Sequence, residues 1–146
     1  MAATVKWYGK GNLHVVKQDV NLLTATLKAT LHTSSYAPNR DTHEFRSDLT
    51  NEVAAANGYS TGGVRITTPA LSYDATSHQV RFDFDDLAWT FTGAVTWRYL
   101  VVQNVRGGAS SADELIGLVD YGADQTASVP YTVQLATTGL LYNDCT

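Results

Sequence analysis

Short runs in which apolar and polar residues alternate recur along this chain, and no other feature constrains its fold as strongly. A period of two places every second side chain on the same face of a β-strand. Eight or nine such runs, separated by turn-forming residues, predict an antiparallel β-sandwich or a barrel-like fold. No segment after Val53 has the spacing of a long helix, and a parallel sheet would need helical crossovers. Beyond that residue the predicted strands are Val64–Thr67, Leu71–Tyr73, Val80–Asp85, Trp89–Thr92, Val95–Val101, Leu115–Tyr121, Val129–Ala136 and Gly139–Tyr142.

The segment Asn21–His32 shows the clearest alternation. Leucine and alanine occupy the odd positions from Leu23 to Leu31, while threonine, lysine and histidine occupy the even positions. This pattern predicts one half-buried antiparallel strand with its threonines towards solvent. A polar loop containing Pro38 follows, and proline cannot continue a strand ladder.

The N-terminal residues are less regular. Val5–Tyr8 is a short apolar and aromatic run, and the cluster Gly9-Lys10-Gly11-Asn12 after it predicts a turn. Leu13–Val16 is too short to be assigned to a strand or a helix.

Between the long alternating segment and the later strands, the spacing changes. Apolar residues four apart, at Phe45, Leu49 and Val53, predict a short helical turn within residues 43–53. Asn57-Gly58 and Gly62-Gly63 contain residues that adopt positive φ angles readily, so both predict tight turns.

These predictions together describe a mainly β protein, a single-domain antiparallel β-sandwich (jelly-roll-like) spanning residues 1–146. A chain of 146 residues that is 44% hydrophobic can bury a two-layer core without a metal or a disulfide. Only 16% of its residues are charged, and small polar residues are abundant. Such a composition suits a surface covered by neighbouring subunits, and it suits a β-sandwich equally well.

Charge and cysteine content narrow the classes of partner. A net charge of −4 and ten scattered basic residues provide no concentrated Lys/Arg face for a nucleic acid. The N-terminus lacks the basic start and apolar run of a signal peptide, and no stretch reaches the roughly 18 apolar residues that span a bilayer. The lone Cys145 cannot form an internal disulfide, although pairing between chains stays open. We therefore expect neither a nucleic-acid partner nor a membrane partner.

The stretch Gly58-Tyr59-Ser60-Thr61-Gly62 matches the letters of the Gly-x-Ser-x-Gly nucleophile elbow. That elbow works only where a strand runs into the serine and a helix runs out of it. Here a turn precedes Ser60, a β-type run follows Gly63, and only His78 is available downstream as a base. We interpret the match as turn chemistry, predict no catalytic residues and do not expect an enzyme.

Other residues with chemical potential also suit structural roles. Asp83, Asp85 and Asp86 could supply oxygens to Ca²⁺, but their spacing does not match a calcium loop, and solvated edge charges explain them better. A sugar-binding platform could be built from Trp7, Trp89, Trp97 and the eight tyrosines. Aromatic residues at alternating strand positions are more typical of a core or an interface. The histidines share no ligand-like spacing, so neither a metal nor a cofactor is predicted. They are His14, His32, His43 and His78.

A series of short motifs between Asn21 and Val105 resembles a family of small virion proteins of tailed bacteriophages. The most specific part is the order of Asn-Glu-Val at residues 51–53, Gly-Tyr at 58–59 and Gly-Gly at 62–63. The remaining motifs are Thr24–Leu31, Tyr36-x-Pro38, Asp41–His43, Asp48–Val53, Phe84–Trp89 and Ala94–Val102. The first twenty residues and the region after Gly108 match less well.

The resemblance implies a structural component of the particle rather than an enzyme. Family members are similar to capsid decoration (cement) proteins, whose partner would be the major capsid protein, or to accessory proteins of the neck or tail. It also implies a homo-oligomer, with a trimer at a local threefold as the expected form, found in the virion after synthesis in the host cytoplasm. Trp7 and Tyr8 are the candidate interface residues, because interface energy is concentrated in Trp and Tyr. A host-surface protein that binds carbohydrate is a further alternative.

Overall fold

The computed structural model describes residues 3–133 and 141–145. The described chain is mainly β, with antiparallel strand pairs and one α-helix, which confirms the predicted fold class. In chain order the elements are β1 (Thr4–Trp7), α1 (Gly9–Val16), β2 (Leu27–His32), β3 (Val64–Arg65), β4 (Ala70–Asp74), β5 (Gln79–Asp83), β6 (Leu87–Trp89), β7 (Val95–Asn104), β8 (Leu115–Ala127), β9 (Tyr131–Val133) and β10 (Leu141–Asp144).

The described strands form three sheets. The largest has five strands in the order β1-β8-β7-β2-β3, the second has three in the order β10-β5-β4, and β6 pairs with β9 in the smallest. The main hydrophobic core joins the inner face of the five-stranded sheet to the two smaller sheets. Leu31, Leu100 and Val119 contribute from the large sheet, and Phe82 and Trp89 contribute from the small ones. This arrangement is a β-sandwich in which one continuous sheet faces two shorter ones.

The outer face of the five-stranded sheet is also covered. A second cluster packs Tyr8 and Tyr36 against Tyr99, Val101 and Leu118 of that sheet. A register shift between Trp97 and Tyr99 lets β7 serve both clusters, because a bulge changes which face the following side chains occupy.

The cluster Gly9-Lys10-Gly11-Asn12, predicted as a turn, instead opens helix α1. The helix packs on β8, and a Cβ added at Gly11 would lie 1.9 Å from the carbonyl oxygen of Leu115. Glycine is therefore required at this position for close approach of a helix to a strand, which local sequence does not distinguish from a turn.

The strand predicted over Asn21–His32 is only half as long in the structure. β2 begins at Leu27, and the residues before it form turns in which the Asn21 side chain accepts a hydrogen bond from the Leu23 amide at 3.0 Å. An Asx-type turn competes with strand structure at this point. The prediction that the even positions face solvent is wrong for Thr30 and His32, which are both 1% exposed beneath the covering loop.

The other local predictions are largely confirmed. A 3-10 turn at Arg46–Asp48 lies within residues 43–53, and Asn57, Gly58, Gly62 and Gly63 all have positive φ angles. The predicted strands after Val53 overlap β3, β4, β5, β6, β7, β8, β9 and β10, with β6 centred earlier than expected. Residues 134–140 of the last two predicted strands lie outside the described residues.

Candidate binding surface

Strand β4 lies at one edge of the three-stranded sheet. Its register with β5 sets Tyr73 opposite Val80 and Leu71 opposite Phe82, so these four side chains share one face of the sheet. Phe82 is buried in the core, but Leu71 is 46% exposed, Val80 38% and Tyr73 59%. The sheet therefore extends beyond the core that it covers, and its outermost apolar side chains remain in solvent.

A groove of about 390 Å³ runs beside this edge. Leu71 of β4 forms one side, and Val15, Val20 and Leu22 from α1 and the loop after it form the other. Val15, Val20 and Leu22 belong to the main core or pack against it, so packed structure supports the apolar part of the lining. Gln18 and Asn21 add polar groups to it.

Two sets of polar contacts hold α1 and β1 beside the three-stranded sheet. The amides of Asn12 and Asn143 exchange hydrogen bonds of 3.0 and 3.2 Å between α1 and β10. The Trp7 indole N–H donates to the Tyr142 carbonyl at 3.0 Å. These bonds fix the position of the helix that borders the groove.

Most of the exposed hydrophobic side chains lie on the elements that border this groove or on the neighbouring strand β5. Of the eight large hydrophobic side chains that are exposed in the described part of the chain, six lie on α1, the loop after it, β4 or β5. We call this set the apolar flank; its members are Leu13, Val16, Leu23, Leu71, Tyr73 and Val80. The other two, Val129 and Tyr142, lie outside it.

An ionic cluster lies on a different side of α1. The His14 ring is 2.9 Å from Asp19 through Nδ1 and 2.9 Å from Glu44 through Nε2, and Lys10 lies 3.0 Å from Glu44. Burial alone would lower the His14 pKa, but the bonds to Asp19 and Glu44 outweigh burial and raise it. The pKa of Asp19 is lowered by its bond to His14, and that of Glu44 by its bonds to Lys10 and His14. Because each ring nitrogen faces a carboxylate, the protonated ring can donate from both nitrogens, and this arrangement favours the imidazolium form.

A polar pocket of about 400 Å³ lies between the outer sheet face and the loop that carries residues 46–52. Its lining includes Gln103, which is fully buried and whose amide atoms have no hydrogen-bond partner among the described residues. His32 also lines it; burial lowers the pKa of this ring, and Nδ1 donates to the Thr50 carbonyl at 2.8 Å. A site of this size and polarity suits water or a small polar group, whereas the groove suits an apolar side chain.

The two aromatic residues proposed as interface anchors have different environments. Tyr8 is fully buried, and its hydroxyl lies 2.8 Å from that of Tyr36, so the prediction that Tyr8 is an exposed anchor is wrong. Burial raises the Tyr8 pKa far above its usual range. Trp7 is half-buried and remains a candidate for contact with a partner.

Ser60 does not lie in the structural context of a nucleophile elbow. Irregular backbone precedes it, and the next element is the two-residue strand β3 rather than a helix. The rings of His14, His32, His43 and His78 bond to carboxylates, to threonine or to tyrosine groups rather than to Ser60. Within the described residues, therefore, no histidine is hydrogen-bonded to Ser60 as a catalytic base would be.

The remaining candidates of the sequence are dispersed. Trp89 and Trp97 are buried in the core, and Tyr73 and Tyr142 lie on opposite faces of the three-stranded sheet. Asp85 is exposed at the end of β5, and across residues 3–133 and 141–145 no three potential metal ligands are gathered together. Sequence reasoning missed the apolar flank, because the edge position of β4 depends on strand pairing.

In the described residues no helix is long and apolar enough to cross a membrane. Compared with family models, with curated proteins and with solved structures, the chain shows no significant match.

Proposed function

We propose that this chain is a non-enzymatic structural protein of a tailed-bacteriophage particle, and specifically a capsid decoration protein that binds the major capsid lattice. Two things support the proposal. One is the resemblance of the motifs between Asn21 and Val105 to small phage virion proteins. The other, which carries the structural part, is the apolar flank.

Single exposed hydrophobic residues are normal on protein surfaces, but clustered ones are typical of contact surfaces. The apolar flank comprises six such side chains, on β5 and on the elements that border a preformed groove, and one of them, Leu71, lines the groove itself. This is the surface expected of a protein whose role is to contact other subunits rather than to transform a small molecule.

To decorate a phage head, a protein needs only to bind the assembled capsid lattice more tightly than it binds the free capsid subunits. A protein that binds the assembled lattice, and not the free subunits, stabilises the assembled state by mass action. Repetition of the same contact in a symmetric oligomer would add avidity without any new chemistry. The half-buried Trp7 stays a proposed anchor for the capsid contact.

Binding to heads provides a direct test. Purified chain is mixed with heads assembled without it, the heads are sedimented, and bound chain is quantified over a concentration series. Saturable co-sedimentation, together with a higher temperature of head disruption, is expected. Chain that stays in the supernatant at every concentration would refute the proposal.

A matched pair of variants locates the contact. Val16 lies in the apolar flank and is 70% exposed, whereas Val129 lies outside it and is 63% exposed. Val16→Lys should weaken head binding, and Val129→Lys should leave it unchanged. If the two changes alter head binding equally, the apolar flank is not the surface that contacts the head.

An enzymatic role has its own test. Turnover of an activated ester by the chain should not exceed that of buffer, and Ser60→Ala should change nothing. Turnover that Ser60→Ala abolishes would contradict a structural role.

A further inference from the structure

We propose that the partner at strand β4 is a second copy of this chain, paired edge to edge about a two-fold axis that passes through Ser72. This inference deepens the proposed function, on which it rests only in treating the apolar flank as a contact surface. The paired strands would join two three-stranded sheets into one of six strands.

The strand edge itself is the first support. β4 has five residues and pairs with β5 on one side, while no other described strand pairs with it. An open edge of this kind presents unpaired backbone N–H and C=O groups, which are a template for another strand. Its side chains add apolar surface, since Leu71 and Tyr73 are both about half exposed.

The other described strands that lie at the edge of a sheet are shorter than β4, and two of them also accept side-chain hydrogen bonds on their backbone. On β1, the Trp7 carbonyl accepts a hydrogen bond from Arg40, and on β10 the Tyr142 carbonyl accepts one from the Trp7 indole. β3 has two residues, and β6 and β9 have three each. Among the described strands that lie at the edge of a sheet, β4 is thus the longest, and it carries two of the exposed large hydrophobic side chains.

The sequence of β4 is complementary to itself. An antiparallel pair centred on Ser72 sets Leu71 of one copy opposite Tyr73 of the other, and Ala70 opposite Asp74. The cross-strand contacts are then aliphatic–aromatic pairs, which stabilise antiparallel ladders, and no like charges face each other. Asp74 is already paired with Arg81 at 2.7 Å within its own chain. A two-fold axis repeats each contact, as an isologous interface requires.

The groove explains why a second copy fits here better than an unrelated strand. Leu71 lies on the groove side of β4, so the residue opposite it on a paired strand would lie on that side as well. In the two-fold arrangement that residue is Tyr73 of the second copy. Its ring would cover Leu71 and the apolar lining formed by Val15, Val20 and Leu22. The same face that is left open in one chain is covered when two chains pair.

Sedimentation equilibrium of the purified chain over a concentration series tests the inference. The expected mass is twice the chain mass of 15.8 kDa. A monomer at all concentrations would overturn it. So would the trimer that the family resemblance implies, because a three-fold arrangement does not contain the two-fold pairing of β4.

Two double variants test the register. Leu71→Lys with Tyr73→Lys places lysines opposite each other in the pair and should raise the dimer dissociation constant at least about tenfold. Leu71→Lys with Tyr73→Glu places opposite charges there and should retain the dimer. Equal behaviour of the two variants, with circular dichroism showing that both fold, would overturn the two-fold register. Tyr142→Lys, an exposed change outside β4, is the control.

This result is separable from the test of head binding. A dimer that fails to bind heads supports the β4 contact and contradicts the decoration role. Head binding by a chain that is not a dimer supports the decoration role and contradicts the β4 contact.

Discussion

Gly11 lies where helix α1 approaches β8 so closely that only glycine fits. A side chain there would meet the Leu115 backbone, which cannot move without disturbing the sheet. Gly9, in the same helix, has the Arg40 carbonyl oxygen at 3.5 Å from a built Cβ, an ordinary contact. The two glycines look alike in sequence but differ in what surrounds them.

Substitution of these two glycines should therefore have opposite results. We expect Gly11→Ala to lower the free energy of unfolding by about 2 kcal/mol or more, since overpacking against backbone costs roughly 1–3 kcal/mol or above. Gly9→Ala should be neutral or stabilising by up to about 1 kcal/mol, because alanine favours a helix over glycine. Urea unfolding of both variants measures the difference. Equal losses of stability would contradict the close approach at Gly11.

His14 gives the chain a pH-dependent contribution to stability. Its pKa is raised in the folded state by Asp19 and Glu44, so protonation favours folding. That contribution is complete below the unfolded pKa of about 6.5 and is lost as the pH rises through the higher folded value. Asp19 and Glu44 have lowered pKa values and change stability in the opposite direction. Their contribution to stability is lost at acid pH, as the two carboxylates become protonated. Buried His32, with a lowered pKa, has the opposite slope to His14 near neutrality.

Comparison of the wild type with His14→Gln isolates the contribution of His14 to the pH dependence of stability. The stability advantage of the wild type should be greatest between about pH 5 and pH 6 and should shrink by pH 8. Chemical unfolding at each pH measures this advantage, which is expected to be small because solvent screens partly exposed ion pairs. His78→Gln, which removes an exposed ring beside a tyrosine hydroxyl, is the control. A difference between wild type and His14→Gln that stays constant with pH would show that the ion pairs do not contribute.

At the scale of elements, Tyr59 helps to hold the loop of residues 52–63 on β2, in addition to the Val53 amide, which donates to the Leu31 carbonyl at 2.9 Å. The Tyr59 hydroxyl accepts a hydrogen bond from the Leu31 amide at 3.0 Å and donates to Glu52 at 2.9 Å. The same Glu52 oxygen accepts a bond from the Gly62 amide at 2.7 Å. Burial raises the pKa of Tyr59 well above its usual range, so the hydroxyl keeps its proton. This chain of bonds sets the turn that leads into β3.

Removal of that hydroxyl should be costly. Tyr59→Phe leaves a buried backbone amide without its acceptor, so we expect a loss of about 1–3 kcal/mol in the free energy of unfolding. Tyr142→Phe changes a half-exposed tyrosine and should cost less than about 0.5 kcal/mol. Thermal or urea unfolding of the pair measures this. If Tyr59→Phe is as mild as the control, the loop is held by other contacts.

At the scale of the whole molecule, local patterning was enough to predict most strands but not their partners. Alternation identified β5 and β7 because their side chains face a core on at least one side. Nothing in the sequence shows that Thr4 pairs with Asp120, or that β4 is left at an edge. Those facts depend on strand order, which is a property of the complete fold.

Contacts between distant parts of the chain also determine the candidate site, and local sequence does not show them. The burial of Tyr8 depends on contact with Tyr36, from a loop almost thirty residues later, so no local pattern separates Tyr8 from Trp7. The apolar flank joins α1 to β4 across more than fifty residues. The sequence did contain the strand signal of Leu71 and Tyr73, but their exposure became visible only in the structure.

We propose that this β-sandwich contacts other subunits at the surface of a phage head. A cryo-electron microscopy reconstruction of the mature particle that contains this chain is the direct test. We expect density that fits the five-stranded sheet and its two partner sheets on the outside of the head, above contacts between major capsid subunits. Heads without such density, or density for the chain confined to the tail, would contradict it.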